Sequence, residues 1–149
     1  MEENLVKKFI GEKADIMYEK LQKKGSFNIF AALFTVFYFL YRKMYLVALV
    51  VFIVQGMVVD AKNSYLTIAF TILMGFVFYP IYKIHIEGKI NKIKEQTSNE
   101  EEIENICVEK GGVSVAALLA LLIPVILIVI IWGVGIALYS YNTAMGIIN

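Results

Sequence analysis

Residues 26–45, SFNIFAALFTVFYFLYRKMY, hold fifteen uncharged residues in a row, 27–41, and then meet Arg42 and Lys43. Whether this run crosses a bilayer or enters it and returns decides the topology of everything after it. A helix rises about 1.5 Å per residue and the hydrocarbon core is about 30 Å thick, so a crossing takes about 20 residues. Runs shorter than that are more often re-entrant or interfacial.

The rest of the chain supplies the context. Its 149 residues are 59% hydrophobic, with a mean hydropathy of +0.69, outside the range of soluble domains. The composition implies an all-α integral membrane protein. Beyond 27–41 the apolar residues gather into blocks at 44–59, 64–82 and 113–139, of 16, 19 and 27 residues. The last two are long enough to span. The first is short, but Lys43 and Lys62 can extend their ammonium groups outward and Tyr41 or Tyr45 can sit at the interface. The plan is an N-terminal charged helix over 1–25, a membrane region over 26–82, a charged segment over 83–112, a last span over 113–139 and a short tail over 140–149.

Lys and Arg collect in short cytoplasmic loops. If all four blocks span, the fourteen basic residues divide seven to seven across the membrane. If 27–41 dips and returns, thirteen fall on one side and only Lys62 on the other. The second arrangement predicts three transmembrane helices plus one re-entrant or interfacial segment, with the N-terminus on the cytoplasmic side of a bacterial inner membrane. Four transmembrane helices are the alternative.

The charged ends read as helices. Over residues 2–24, Leu5, Val6, Phe9, Ile10, Ala14, Ile16, Met17 and Leu21 recur at helical spacing, and Gly25 is placed to end the run. Lys13 and Lys20 interrupt that apolar stripe; on a membrane-surface helix their heads would reach lipid phosphates. After the third block, Lys83, His85 and Lys89 alternate with isoleucines at a membrane exit, where each cation near an anionic surface contributes about 1 kcal/mol. Ser98 with Glu101 fits a capping box, acidic residues 100–102 suit a first helical turn, and Gly111 and Gly112 end a short cytoplasmic helix predicted over 99–110.

Little here carries chemistry. One His, one Cys and two Asp leave almost no material for metal clusters or a nucleophile with its base. We expect no enzyme activity, no metal, no cofactor and no nucleic-acid partner. Cys107 reads as a small apolar packing residue. The partners to expect are the bilayer, an anionic lipid, and a second copy or another protein. Asn28, Arg42 and Lys43 are the first candidates for a headgroup site: if 27–41 folds back, an amide and two cations share one interface. Lys83, His85 and Lys89 are the second set. Ala116 with Ala120 and Gly133 with Ala137 permit close helix approach, and Gln55 could bond a neighbouring helix.

Residues 9–45 resemble the signature of a bacterial membrane family known only as domain of unknown function twenty-six twenty-eight. Phe9, Ile10 and Gly11 stand for its Phe-Val-Gly. Phe27, Asn28, Ala31 and Ala32 stand for its Phe-Asn-Trp-Ala-Ala, with Ile29 in place of Trp, and residues 41–45 supply its Tyr-Arg-Lys-Met-Tyr. The Gly-Gly-Val-Ser of residues 111–114 is similar to a late family feature. The signature's apolar bridge often contains Gly-Pro, suited to a turn; residues 34–37, Phe-Thr-Val-Phe, lack it. The family brings no established activity. Two functional classes stand: an interaction or adaptor protein binding a partner or anionic lipid through its charged segments, and an oligomeric, holin-like pore former.

Overall fold

The structure is a computed structural model that describes residues 2–61 and 63–145. Lys62 and the last four residues of the 140–149 tail lie outside the described residues. All regular structure among the described residues is α-helical: α1 Glu3–Ile10, α2 Ala14–Gln22, α3 Ile29–Phe34, α4 Val36–Tyr41, α5 Tyr45–Asp60, α6 Ser64–Gln96, α7 Glu100–Lys110 and α8 Val115–Ala144. The chain divides after Ser114 into two compact units, the second holding α8.

The single helix predicted over the N-terminal 25 residues is two. Gly11, at φ +74°, and Lys13, at φ +60°, stand between α1 and α2, and the Gly11 N–H closes α1 onto the Lys7 carbonyl. The break lets both halves pack on α6: α1 buries Leu5, Val6, Phe9 and Ile10, while α2 buries Met17 and Leu21.

The decisive run, 27–41, is a helical hairpin. Asn28 caps α3, its Oδ1 accepting from the Ala31 N–H at 3.0 Å, and its own N–H bonds the Gly75 carbonyl of α6 at 2.9 Å. Thr35, at φ +36° and ψ −108°, ends α3 and starts α4. The chain folds back there: the Phe30 and Tyr38 rings stack with centroids 6.1 Å apart, and Asn28 Nδ2 donates to Tyr38 Oη at 3.4 Å. A left-handed φ on a β-branched residue costs about 1–3 kcal/mol. Thr35 offsets part of that cost through a hydrogen bond from its Oγ1 to the Ala32 carbonyl, 3.3 Å, and through near-complete burial. A Gly-Pro pair at this point would supply the same φ without strain and a proline suited to the first residue of a helix; here the tertiary contacts of Thr35 take that role.

The boundary drawn at residue 83 is not a helix boundary. α6 continues through Pro80 and through the charged residues to Gln96, a length of about 50 Å, because one buried stripe runs the whole way: Met74, Phe78, Tyr82, Ile86, Ile90 and Ile93. It is the spine on which α1, α2, α3, α5 and α7 pack. α7 begins one residue later than predicted, and its cap is Asn99 rather than Ser98: Asn99 Oδ1 accepts from the Glu101 N–H at 3.1 Å. At its other end Gly111 and Gly112 lie against α1, where the Gly112 N–H bonds the Phe9 carbonyl at 2.7 Å.

Two helices, α6 and α8, are long and apolar enough to cross a membrane, and α5 is a shorter apolar helix. Sixteen residues give α5 about 24 Å. Large apolar side chains are exposed over α3, α5 and the first half of α6, including Leu33, Phe34, Leu46, Phe52, Leu66 and Ile72. The exposed surface of α1, α2 and α7 is instead mostly charged.

Candidate functional site

Among the described residues of the first unit three polar ones are buried: Asn28, Thr35 and Arg42, at 4%, 3% and 7% exposure. The first two are satisfied at the hairpin's start and turn. Arg42, which ends α4, is different. Its guanidinium carbon lies 5.9 Å from the centroids of the Tyr38 and Tyr41 rings and 5.5 Å from that of Tyr82. Tyr38 and Tyr41 come from one face of α4 and Tyr82 from the stripe of α6, so the three rings form a cage around the cation.

Among the described residues no carboxylate pairs with Arg42. The ion pairs formed among the described residues use Lys7, Lys8 and Lys94: Lys7 with Glu3 and Asp15, Lys8 with Glu104, Lys94 with Glu2. Arg42 Nε and Nη1 and the Tyr82 hydroxyl are buried without a hydrogen-bond partner. A guanidinium keeps its charge in proteins, and an uncompensated buried charge costs several kcal/mol. Ring faces return about 0.5–2 kcal/mol each, and the Tyr38 and Tyr82 hydroxyls interact with the guanidinium without forming a hydrogen bond of good geometry to Nε or Nη1. The cage stabilises a cation while its hydrogen-bonding capacity remains open.

Arg42 borders a cavity of about 380 Å³ between α2 and the hairpin, lined also by Lys13, Lys20, Asn28, Tyr38, Tyr41 and Tyr79. Lys13 is held at the left-handed N-terminus of α2, and Lys20 Nζ stands 6.0 Å from the Tyr79 ring centroid. Glu12 is the one acidic residue on the wall, and Ile16, Met17, Phe27, Ile29 and Phe30 make the rest of it apolar. The wall is therefore cationic on one part and apolar on the rest.

Of the residues singled out from sequence, Asn28 and Arg42 meet at this cavity and Lys43 does not. Lys43, at φ +58°, turns to α7, where its Nζ donates to the Glu109 carbonyl at 3.3 Å, favourable beside the negative end of a helix dipole. Lys83 and His85 are half-buried on α6 and Lys89 is exposed; none lines the cavity. Gln55 is half-buried on α5, while Ala116, Ala120, Gly133 and Ala137 are exposed on α8. Cys107 is fully buried, and burial pushes its thiol pKa up, as suits an unreactive packing residue. The cage tyrosines were legible only as the spacing of Tyr38 and Tyr41 ahead of Arg42, and the two lysines only as interruptions of the α2 stripe.

His85 gives a pH prediction. Burial first, and then the charge of Lys89, lower its pKa below the ordinary 6.5. The folded state therefore holds fewer protons than the unfolded one as pH falls past 6.5, so its stabilising share is present above that value and lost on acidification. Imidazole NMR should show His85 titrating below 6.5, and His85→Gln should flatten the stability profile as pH falls below 6.5. A midpoint at or above 6.5 would contradict this environment.

The family described as protein of unknown function (DUF2628) matches residues 3–85. The chain belongs to this family. No curated protein and no solved structure matches it. The DUF2628 region takes in α1 to α5, the hairpin and the apolar part of α6, and so contains every residue of the Arg42 cage together with Lys13 and Lys20. α7 and α8 lie beyond the DUF2628 match.

Proposed function

We propose that this chain is a multi-pass protein of the bacterial cytoplasmic membrane that acts by binding rather than by catalysis, its charged helical layer docking on anionic lipid or on a protein partner. In this reading α5, α6 and α8 cross, the α3–α4 hairpin enters from the cytoplasmic side and returns to it, and α1, α2, α7 and the end of α6 lie in the cytoplasm. The observation that carries the reading is the fold-back at Thr35. It puts Asn28 and Arg42 at one level of the molecule, and with them the N-terminal helices and the polar end of α6. Thirteen of the fourteen basic residues then share one side, in keeping with the charge bias of cytoplasmic loops.

Cysteine accessibility in intact cells tests it. With Cys107→Ser as background and single cysteines in place of Lys43, Lys62 and Asn149, a membrane-impermeant thiol reagent should label positions 62 and 149 and spare 43. Labelling at 43 with protection at 62 would establish four spans and put α7 outside, removing the cytoplasmic binding layer.

A further inference from the structure

We propose that the cavity between α2 and the hairpin is a binding site for one phosphate group, that of an anionic membrane lipid, with the Arg42 guanidinium as its recognition element and Lys13 and Lys20 as flanking cations. The inference deepens the function proposed above and rests on its placing of this cavity at the cytoplasmic interface.

Three observations carry it. Arg42 is 7% exposed and has two buried nitrogens without an acceptor, beside a Tyr82 hydroxyl in the same condition. The Tyr38 and Tyr82 hydroxyls are close enough to interact with the guanidinium but give it no well-formed hydrogen bond, and the best acceptor for a desolvated guanidinium is an oxyanion able to take parallel N–H bonds. Second, the cavity that Arg42 borders has three cations on its wall against one carboxylate, that of the exposed Glu12, so an entering anion is favoured at the charge level as well. Third, the wall is amphipathic: Ile16, Ile29 and Phe30 are 60%, 52% and 55% exposed beside the cationic end. A free phosphate ester uses only the cations. A phospholipid uses both surfaces, its phosphate at Arg42 and its acyl chains along the exposed apolar residues of α3.

The ring cage gives the arrangement selectivity. Tyr38 is held by Asn28, and Tyr82 is packed against Phe78, so the guanidinium is positioned before a ligand arrives and loses little freedom on binding. Lysine at this position would keep the charge but not the fork of donors.

The test uses the full-length chain in nanodiscs of phosphatidylcholine doped with phosphatidylglycerol, with native mass spectrometry counting retained lipid. The wild type should hold one phosphatidylglycerol per chain with at least tenfold preference over phosphatidylcholine. Arg42→Gln should lose that single lipid, and Arg42→Lys should retain it with severalfold weaker affinity. Because Arg42→Gln also disturbs the cage, the double variant Lys13→Gln, Lys20→Gln supplies an independent reading at two exposed positions: it should fold normally and bind about tenfold more weakly. Lys43→Gln should behave as wild type. Thermal stabilisation by inorganic phosphate is the second arm. Stabilisation by phosphate equal to that by short-chain phosphatidylglycerol would overturn the lipid assignment in favour of a free phosphate ester. Retention unchanged in both Arg42→Gln and the double lysine variant would overturn the site itself. Salt-sensitive adsorption to anionic membranes that survives in Arg42→Gln would leave the broader docking function standing after such a failure, and the cysteine labelling pattern decides the topology independently of either.

Discussion

Gly111→Ala should destabilise the 1–114 unit by about 3 kcal/mol or more, as much as Gly111→Val, because the first added carbon already meets backbone. A Cβ at Gly111 would run into the Phe9 carbonyl oxygen and stand 2.6 Å from that of Cys107. Neither atom is the end of a flexible side chain, so α1 and α7 must separate. The φ of Gly111 is −81°, which any residue adopts, so the cost is contact and not backbone strain. Gly112 provides the contrast. Open space surrounds it, but its φ is +69°, and Gly112→Ala should cost only about 1 kcal/mol, the ordinary penalty for a left-handed L residue. Unfolding titrations in mixed micelles, together with proteolysis between α1 and α2, check both. Equal small losses at the two positions would contradict the close approach of α1 to α7.

The second large effect is expected at Phe78, which sits under the cage without touching its cavity. Phe78 is fully buried, and its ring centroid lies 4.9 Å from that of Tyr38, 5.5 Å from Phe39, 5.3 Å from Tyr79 and 5.3 Å from Tyr82. Phe78→Ala removes a ring from the centre of that cluster and should cost about 2–4 kcal/mol. The cost comes mainly from lost packing and the cavity left behind, since lipid surroundings weaken the burial term. Tyr38 and Tyr82 lose their support at the same time, so lipid retention at Arg42 should fall together with stability. Phe78→Leu fills most of the volume and should recover most of both. A Phe78→Ala variant with wild-type stability would mean that the aromatic cluster does not hold the hairpin to α6.

Much of this architecture is written in local features. The distribution of basic residues separates the run at 27–41 from the other apolar blocks, helical spacing identifies the buried stripe of α1, and Gly111 and Gly112 mark the end of α7. The residues around Phe27 and Tyr41 carry the resemblance to the family whose model matches residues 3–85. Where the reading of the chain erred, the missing information was not local. The apolar spacing of 2–24 is compatible with one straight helix, and only the need to lay Met17 and Leu21 on α6 bends it at Gly11. Asn99 and Ser98 are both acceptable caps, and the geometry entering α7 selected Asn99. The change at residue 83 is one of composition, and the buried stripe from Met74 to Ile93 carries the helix straight through it.

The sequence by itself determined an all-helical chain with two helices long and apolar enough to cross a membrane, and which segments are charged, because length, composition and periodicity are properties of consecutive residues. The tertiary structure alone decided that the reversal within 27–41 falls at Thr35 and what Arg42 faces. A left-handed φ on threonine is unfavourable locally and persists because Asn28 is pinned to Gly75 on one side of it and Tyr38 to Phe78 on the other. In sequence Arg42 and Lys43 are equal candidates for a headgroup site, and nothing local separates the two. Those same long-range contacts send Lys43 to the end of α7, bring Lys13 and Lys20 to the cavity, and leave a caged guanidinium with donors to spare.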